Sequence, residues 1–276
     1  MMDAKFQRRI QRYGWDKAAS AYDAGWRDSL ALVQSKLIDI ADPQPGERIL
    51  DTACGTGLVT FPLVEVAGRA GQVVATDISQ AMIDTLMRAA ERRGFSHIKA
   101  FRADAENLDR VENDSFDLAT CALGFMYFPN PDQAMREMLR VLRPGGRAVV
   151  AVWGARKNCG WAEVFPIVDA RVQSAVCPMF FNLGLGRTLA MSMEQAGFEL
   201  VHDRRLTTEL PYESGEAAAD AAFIGGPVAL AYDRFTPQVR GEVRSEYLAS
   251  IGAFRFGCGY NIPGEFVIAS GRKPTA

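Results

Sequence analysis

Three aspartates stand at the ends of three short apolar runs: Asp51 in ERILDTA, Asp77 in QVVATD and Asp104 in IKAFRAD. After Asp51 comes Thr52-Ala53-Cys54-Gly55-Thr56-Gly57. Small residues there let backbone approach a ligand, and a following helix offers unpaired N–H groups. A carboxylate before those glycines repels a pyrophosphate and attracts an ammonium group. Asp77, twenty residues past Gly57, can accept both hydroxyls of a ribose. Asp104 can accept a hydrogen bond from an adenine amino group. One strand-end aspartate is more often a cap than a ligand, but three at these places suit a nucleoside that also carries positive charge. S-adenosylmethionine, with its ammonium, sulfonium and carboxylate, fits them better than a dinucleotide. Gly55 and Gly57 alone would also serve a dinucleotide fold. GxGxxG fails, because Thr60 holds the third glycine position, so a nicotinamide oxidoreductase is a distant second.

The elements that must position these residues follow from periodicity. Leu30, Val33, Leu37 and Ile40 predict a helix over 28–41, capped by Asp28 and stopped by Pro43 and Pro45. A strand over 47–53, a tight turn and a helix over 57–67 come next, then QVVATD and a helix capped by Ser79 with Met82, Ile83 and Leu86 inward. IKAFRAD and SFDLATCALGF supply the third and fourth strands. Asn130-Pro131 opens a helix that Pro144-Gly145-Gly146 ends before the strand RAVVAVW. This alternation implies βαβ units, hence an α/β fold with a doubly wound, mainly parallel, Rossmann-like sheet. Later, 187–196 reads as a helix, and FELVHDRRLTTEL and GEFVIASGRK as two strands able to pair antiparallel. Residues 212–260 lie as a helical insertion between them.

The chain has 276 residues, 48% of them hydrophobic and 23% charged, enough to bury a full core. That length leaves one domain or two open against a prior of about 150 residues per domain. A net charge of −2 argues against a counterion-release mode of nucleic-acid binding, and no apolar stretch reaches the roughly 20 residues of a membrane span. The Lys5, Arg8, Arg9, Arg12 cluster reads as a solvated helix face. Five unpaired-spacing cysteines, and no apolar stretch after the N-terminal charges, make a cytoplasmic home the simplest expectation.

ILDTACGTG, VVATDISQAM, ADAENL, SFDLATCALGFMYFPNP and LRPGGR together resemble the motifs of class I S-adenosylmethionine-dependent methyltransferases, particularly the ubiquinone and menaquinone biosynthesis-like small-molecule branch. The resemblance covers about 45–155, and AGFELV and GEFVIASGRK are similar to the family's last two strands. It implies that Asp51 and the backbone of Ala53, Gly55 and Gly57 hold the methionine part of the donor and Asp77 its ribose. Ile78 and Met82 would flank the adenine, with Asp104 and Ala105 at its edge and Cys121 and Ala122 on the methionine side. YGWDKAASAYD looks like the family's lid helices, with Tyr13 and Tyr22 reaching toward the donor. S-adenosylhomocysteine would be the product.

Two positions depart from the family pattern. Ala53 replaces the first glycine of the motif, a small change in room. Met126 and Tyr127 stand where many relatives carry histidines, and the chain's only histidines, His97 and His202, lie elsewhere. Methyl transfer can proceed without a dedicated base, since near-attack geometry alone can lower a barrier by roughly 7–11 kcal/mol. Tyr127 is the local candidate for positioning or proton transfer. Aromatics that can reach an acceptor site are Phe125, Trp153, Trp161, Phe165, Phe180, Phe181, Phe223, Tyr232, Phe254 and Tyr260. If about a third face the cavity, the acceptor is apolar or aromatic. Phe125, Met126, Tyr127, Trp153 and Trp161 are the expected acceptor contacts. Cys159, Cys177 and Cys258 offer a weaker metalloid-binding alternative, and no resident metal is expected.

The expected function is methyl transfer from S-adenosylmethionine to O, N or C of a small, largely apolar metabolite. A catalytically inactive nucleoside-binding protein of the same fold is the alternative. One domain over 1–276 is expected, with lid helices over 1–44, the donor-binding core over 45–153, and cap insertions with the last two strands over 154–276. The acceptor's identity and the oligomeric state are not legible.

Overall fold

Short runs of β-branched and apolar residues form β1 (Arg48–Thr52), β2 (Gln72–Asp77), β3 (Ile98–Arg102), β4 (Phe116–Ala122) and β5 (Leu142–Trp153). The computed structural model describes residues 4–172, 177 and 179–275. The first residues of the N-terminal segment (1–3), 173–176 and Pro178 within the Gly- and aromatic-rich segment, and Ala276 lie outside the described residues. β1, β2 and β4 are buried along nearly their whole length, as parallel strands covered by helices on both faces must be. β3, at the sheet edge, is half-exposed.

β6 (Glu199–Tyr212), β7 (Arg255–Phe256) and β8 (Gly259–Arg272) complete the sheet. Its order is β3-β2-β1-β4-β5-β8-β6, with β7 on β8. β8 runs antiparallel to both β5 and β6. The order reverses between β1 and β4, the crevice where ligands of open α/β sheets bind.

Helices α1 (Ala4–Ala18), α2 (Tyr22–Ala41), α3 (Thr60–Ala67), α4 (Gln80–Arg92), α5 (Pro131–Val141), α6 (Val164–Asp169) and α7 (Thr188–Ala196) precede β6. α8 (Gly215–Phe223), α9 (Ala229–Asp233) and α10 (Pro237–Ser250) form the insertion between β6 and β8. Ser79 caps α4 by accepting from Met82 N–H, and Asn130 caps α5 by accepting from Gln133 N–H, with Pro131 in its first turn. Asp28 is no cap: α2 begins six residues earlier at Tyr22. Trp26 anchors that extra turn, burying its ring and donating its indole N–H to Ala221 O and Gly225 O in and beyond α8. α3 likewise starts at Thr60 rather than 57, because Ala53, Gly55 and Gly57 at φ of +51°, +54° and +97° cannot belong to a right-handed helix. β8 is longer than the expected final strand over 264–273, since it begins at Gly259 and pairs with β6 as far as Tyr212↔Tyr260.

Candidate active site

The turn after β1 is folded back onto its neighbours by Cys54 N–H to Thr76 O, Gly57 N–H to Cys54 O and Phe61 N–H to Gly57 O. This leaves Gly55 with open space where a side chain would project. Ala53 occupies the left-handed region that favours glycine. Its cost is therefore backbone strain of about 1–2 kcal/mol rather than lost room. Leu123, at the end of β4, has φ +62° and lines the same cavity. Strained residues held on both sides of one cavity mark a built site.

Asp77 is nearly buried, and its two carboxylate oxygens accept Gly55 N–H at 2.9 Å and Ser79 N–H at 2.8 Å. Burial pushes its carboxyl up to about 6, against the pull of those N–H groups. A carboxylate has about four lone-pair sites, and with Gly55, Ser79 and Ile78 N–H drawing on them capacity remains toward the cavity it lines. Asp104 sits at that cavity's far end, accepting Glu106 N–H at 2.9 Å and pairing with Arg8 Nε at 3.0 Å. Arg8 also pairs with Glu106, whose other oxygen accepts Asn130 N–H.

Asp51 differs from its expected role. Its oxygens accept the hydroxyls of Thr60 at 2.6 Å and Thr120 at 2.9 Å, and it does not line the cavity. It is a buried staple joining β1, α3 and β4. Burial raises its carboxyl to about 6, partly offset by the two threonine hydroxyls.

The cavity is partly open to solvent, with about 70 Å³ of room for a water-sized sphere. Among the expected residues, Tyr22, Ala53, Gly55, Asp77, Ile78, Met82, Asp104, Ala105, Ala122 and Tyr127 line it. Gly57 and Cys121 do not: the ring of Phe61 fills the side-chain space at Gly57, and Cys121 is fully buried behind Gly124. Tyr13 is 45% exposed and stacked under Arg12 on the outer surface, because it lies on the far side of α1 from Trp15, which faces inward.

Sequence reasoning missed the lid's polar contacts. Asp16 accepts the Ser79 hydroxyl and Ala81 N–H at the start of α4, and Asp23 accepts the Thr56 hydroxyl on the glycine-rich turn. Arg8 is no solvated cation. The only local signal was the acidic residue beside each lid aromatic, Trp15-Asp16 and Tyr22-Asp23.

A second, tight chamber, with about 20 Å³ of room for a water-sized sphere, adjoins the first and shares Trp15, Tyr22, Leu123 and Tyr127 with it. Trp26, Leu30, Trp153, Trp161 and Pro227 complete it. Trp15 meets Tyr127 edge-on at 5.0 Å, and Trp153 packs on Trp161 at 4.8 Å. Burial raises Tyr127's phenol well above its usual range and raises that of Tyr22 as well. Of the ten late aromatics, Trp153 and Trp161 alone reach either cavity, so most of them are core. Phe125 and Met126 are buried elsewhere, Phe125 against Phe128. Half of the chamber's rings, Trp15, Tyr22 and Trp26, come from α1 and α2, and Tyr127, Trp153 and Trp161 complete it. Cys159 is buried against Glu265 and Cys258 is exposed; no three metal-competent side chains group together among the described residues.

The donor set fits S-adenosylmethionine: a buried carboxylate with free lone pairs for a diol, apolar Ile78 and Met82 for a purine, and an open cradle at Gly55. Asp77's raised value carries a testable sign. The folded protein binds extra protons between the ordinary carboxylate value and about 6, so this carboxylate favours folding at acid pH, and that contribution is lost as pH rises through about 6. Hydroxyl donors offset its ionisation. Saturating S-adenosylhomocysteine should therefore raise Tm more at pH 8 than at pH 5, and affinity should fall about tenfold per unit below pH 6. An affinity flat from pH 8 to 5, read by calorimetry, would remove Asp77 from the contact.

Comparison with known proteins agrees with this geometry. The ubiE/COQ5 methyltransferase family model matches residues 21–167, just over half of the chain. The nocamycin O-methyltransferase of Saccharothrix syringae is 28% identical over 88% of this chain and 91% of its own length. The ubiquinone/menaquinone biosynthesis C-methyltransferase UbiE of Idiomarina loihiensis is 37% identical over 62% of this chain and 73% of its own. The solved phosphoethanolamine N-methyltransferase 2 of Haemonchus contortus, in complex with S-adenosyl-L-methionine, shares the fold with a TM-score of 0.60 at 15% identity, covering 94% of this chain and 57% of that one. No helix among the described residues is long and apolar enough to cross a membrane. The chain belongs to the ubiE/COQ5 methyltransferase family and is an S-adenosylmethionine-dependent methyltransferase of the small-molecule type.

Proposed function

We propose that the protein methylates O, N or C of a small, largely aromatic metabolite held in the second chamber. The observation that carries this is the wall common to the two cavities, Trp15, Tyr22, Leu123 and Tyr127, which puts an aromatic-lined space directly beside the donor site. Asp77 would hold the ribose hydroxyls, Ile78 and Met82 the purine, Asp104 with Ala105 its edge, and the backbone at Ala53, Gly55 and Ala122 the methionine part. Asp51 acts on the donor through the turn it staples. Bound there, S-adenosylmethionine supplies an electrophilic methyl group on a sulfonium that leaves as a neutral thioether.

The chain's own residues align the two partners and exclude water. α1 closes the donor site through Arg8 and Asp16, and α2 through Asp23. Tyr127, protonated at neutral pH, positions the acceptor by hydrogen bonding and does not act as a base. Tyr127→Phe should lower kcat/KM by about tenfold with S-adenosylhomocysteine affinity unchanged. A loss of about 1,000-fold or more, with a lost limb in the pH profile, would make it the proton-transfer group instead. We also propose that lid, core and cap work as a single domain, because β6 and β8 extend the donor-binding sheet, and that the five free cysteines suit a reducing cytoplasm.

Incubation with methyl-labelled donor and a panel of phenols, amines and quinone precursors tests the function. Label in a small organic product supports it; donor binding without transfer to any acceptor would favour an inactive binding protein.

A further inference from the structure

A cleft open to solvent, with about 620 Å³ of room for a water-sized sphere, runs between the outer face of α1 and the end of β3. It adjoins the donor cavity, and the two meet at Arg8, Ile78, Ala103 and Asp104. Lys5, Arg9 and Arg12 line it from α1 and Arg102 from β3; Asp104 and Asp109 are the acidic residues on its wall. Asp104 is already paired with Arg8. With Arg8, five cations meet two carboxylates there, an excess of three positive charges in a chain whose net charge is −2.

Arg9, Arg12 and Arg102 make no ion pair among the described residues. Arg9 and Arg12 lie instead over the exposed rings of Phe6 and Tyr13, at 5.3 and 4.5 Å from the ring centroids. Stacking of this kind holds a guanidinium in place while its N–H groups stay available to an anion. Across the cleft, the charge of Arg102 repels those of Lys5, Arg9 and Arg12. That repulsion opposes the closure of α1 that Arg8 secures through Asp104 and Glu106. An anion between the two sides would turn repulsion into a bridge. A diphosphate group suits the place, because it offers several oxygens to guanidinium forks and carries enough charge to offset the excess. A concave cleft takes a compact anion better than a flat bilayer, and the net charge of the chain argues against a nucleic-acid track.

We propose that the cleft between α1 and β3 binds a diphosphate group, free or carried on a nucleoside, and that the bound anion clamps α1 over the donor site. Arg9 and Arg12 hold it from the lid and Arg102 from the sheet. The clamp rests on the donor occupying the cavity that Asp77 lines, whereas the anion site stands on the cleft's own residues.

Calorimetry at constant ionic strength, with chloride as the balancing anion, tests both parts. Wild type should bind pyrophosphate, and about fivefold tighter when saturated with S-adenosylhomocysteine; by reciprocity, saturating pyrophosphate should tighten S-adenosylhomocysteine by the same factor. Arg12→Gln and Arg102→Gln, neither of which lines the donor cavity, should each weaken pyrophosphate about tenfold. S-adenosylhomocysteine alone should bind both variants within about threefold of wild type, which shows that they fold. ADP, added once S-adenosylhomocysteine fills the donor cavity, separates the sources: tighter binding than pyrophosphate supports a nucleoside-borne diphosphate, and equal or weaker binding supports the free anion. No pyrophosphate binding to wild type, or equal binding to wild type and both variants, would overturn the site. Binding to phosphatidylglycerol vesicles without binding to pyrophosphate would overturn it too, in favour of a membrane contact. Pyrophosphate affinity unchanged by S-adenosylhomocysteine would overturn the clamp. Failure of wild type to bind S-adenosylhomocysteine at all would instead sink the donor reading, with the anion site still decided on the free protein.

Discussion

Asp77→Ala is expected to weaken S-adenosylhomocysteine binding by about 100-fold or more, since hydrogen bonds to a charged group contribute about 1.5–3 kcal/mol each and two hydroxyls are to be held there. The substitution also frees Gly55 N–H and Ser79 N–H, the groups that Asp77 ties together across the site. Part of the loss is therefore disorder of the glycine-rich turn. Asp77→Asn grades the two effects. It keeps one carbonyl oxygen while its amide nitrogen cannot accept from the second N–H, so it should lie between wild type and alanine in both affinity and Tm. Calorimetry and thermal unfolding of both variants check this. An alanine variant within about threefold of wild type would mean that the ribose is held elsewhere, since threefold is less than one ordinary hydrogen bond.

The second large effect is at Gly124, where the end of β4 meets the turn after β1. A Cβ on Gly124 would stand 2.5 Å from the Ala53 Cβ and 2.7 Å from Cys121 Sγ. Neither neighbour has room to yield, because Ala53 is already held at φ +51° and Cys121 is fully buried. Overpacking of this kind costs about 1–3 kcal/mol, so Gly124→Ala should lower Tm by about 3–10 °C in a chain of this size. Donor binding should weaken with it, because the displaced turn carries Gly55. Ala53→Gly in the same chain removes one of the two clashing atoms and the backbone strain together. The double variant should regain part of both losses. If Gly124→Ala has wild-type Tm and affinity, the seam is looser than the contacts indicate.

What was legible in the sequence was what a few adjacent residues determine. Asp77-Ile78 with Met82, Asp104-Ala105 and Gly55 fell on the cavity because a strand end followed by a capped helix fixes where each side chain goes. Ser79 and Asn130 were readable as caps for the same reason. Spacing does not reveal that Thr60 and Thr120, nine and 69 residues away, donate their hydroxyls to Asp51, which does not line the cavity. Tyr13 and Trp15 are two positions apart on α1, about 200° of helix rotation, and composition could not say which one faces in. Arg8 meets Asp104 and Glu106 across almost a hundred residues. Such long-range ion pairs leave no local pattern. The late aromatics were visible as aromatics, but most complete the core, and α1, α2 and Tyr127 supply the chamber's other rings.

The central claim is that a donor held beside Asp77 delivers its methyl group into the chamber lined by Trp15, Tyr127 and Trp161. Its most direct test is a product balance with methyl-labelled S-adenosylmethionine, the purified protein and the panel of phenols, amines and quinone precursors. The account predicts label in an organic-extractable small molecule, formed in equal amount to S-adenosylhomocysteine and lost with Asp77→Ala. Label transferred only to protein or nucleic acid, or no S-adenosylhomocysteine formed with any acceptor, would contradict it.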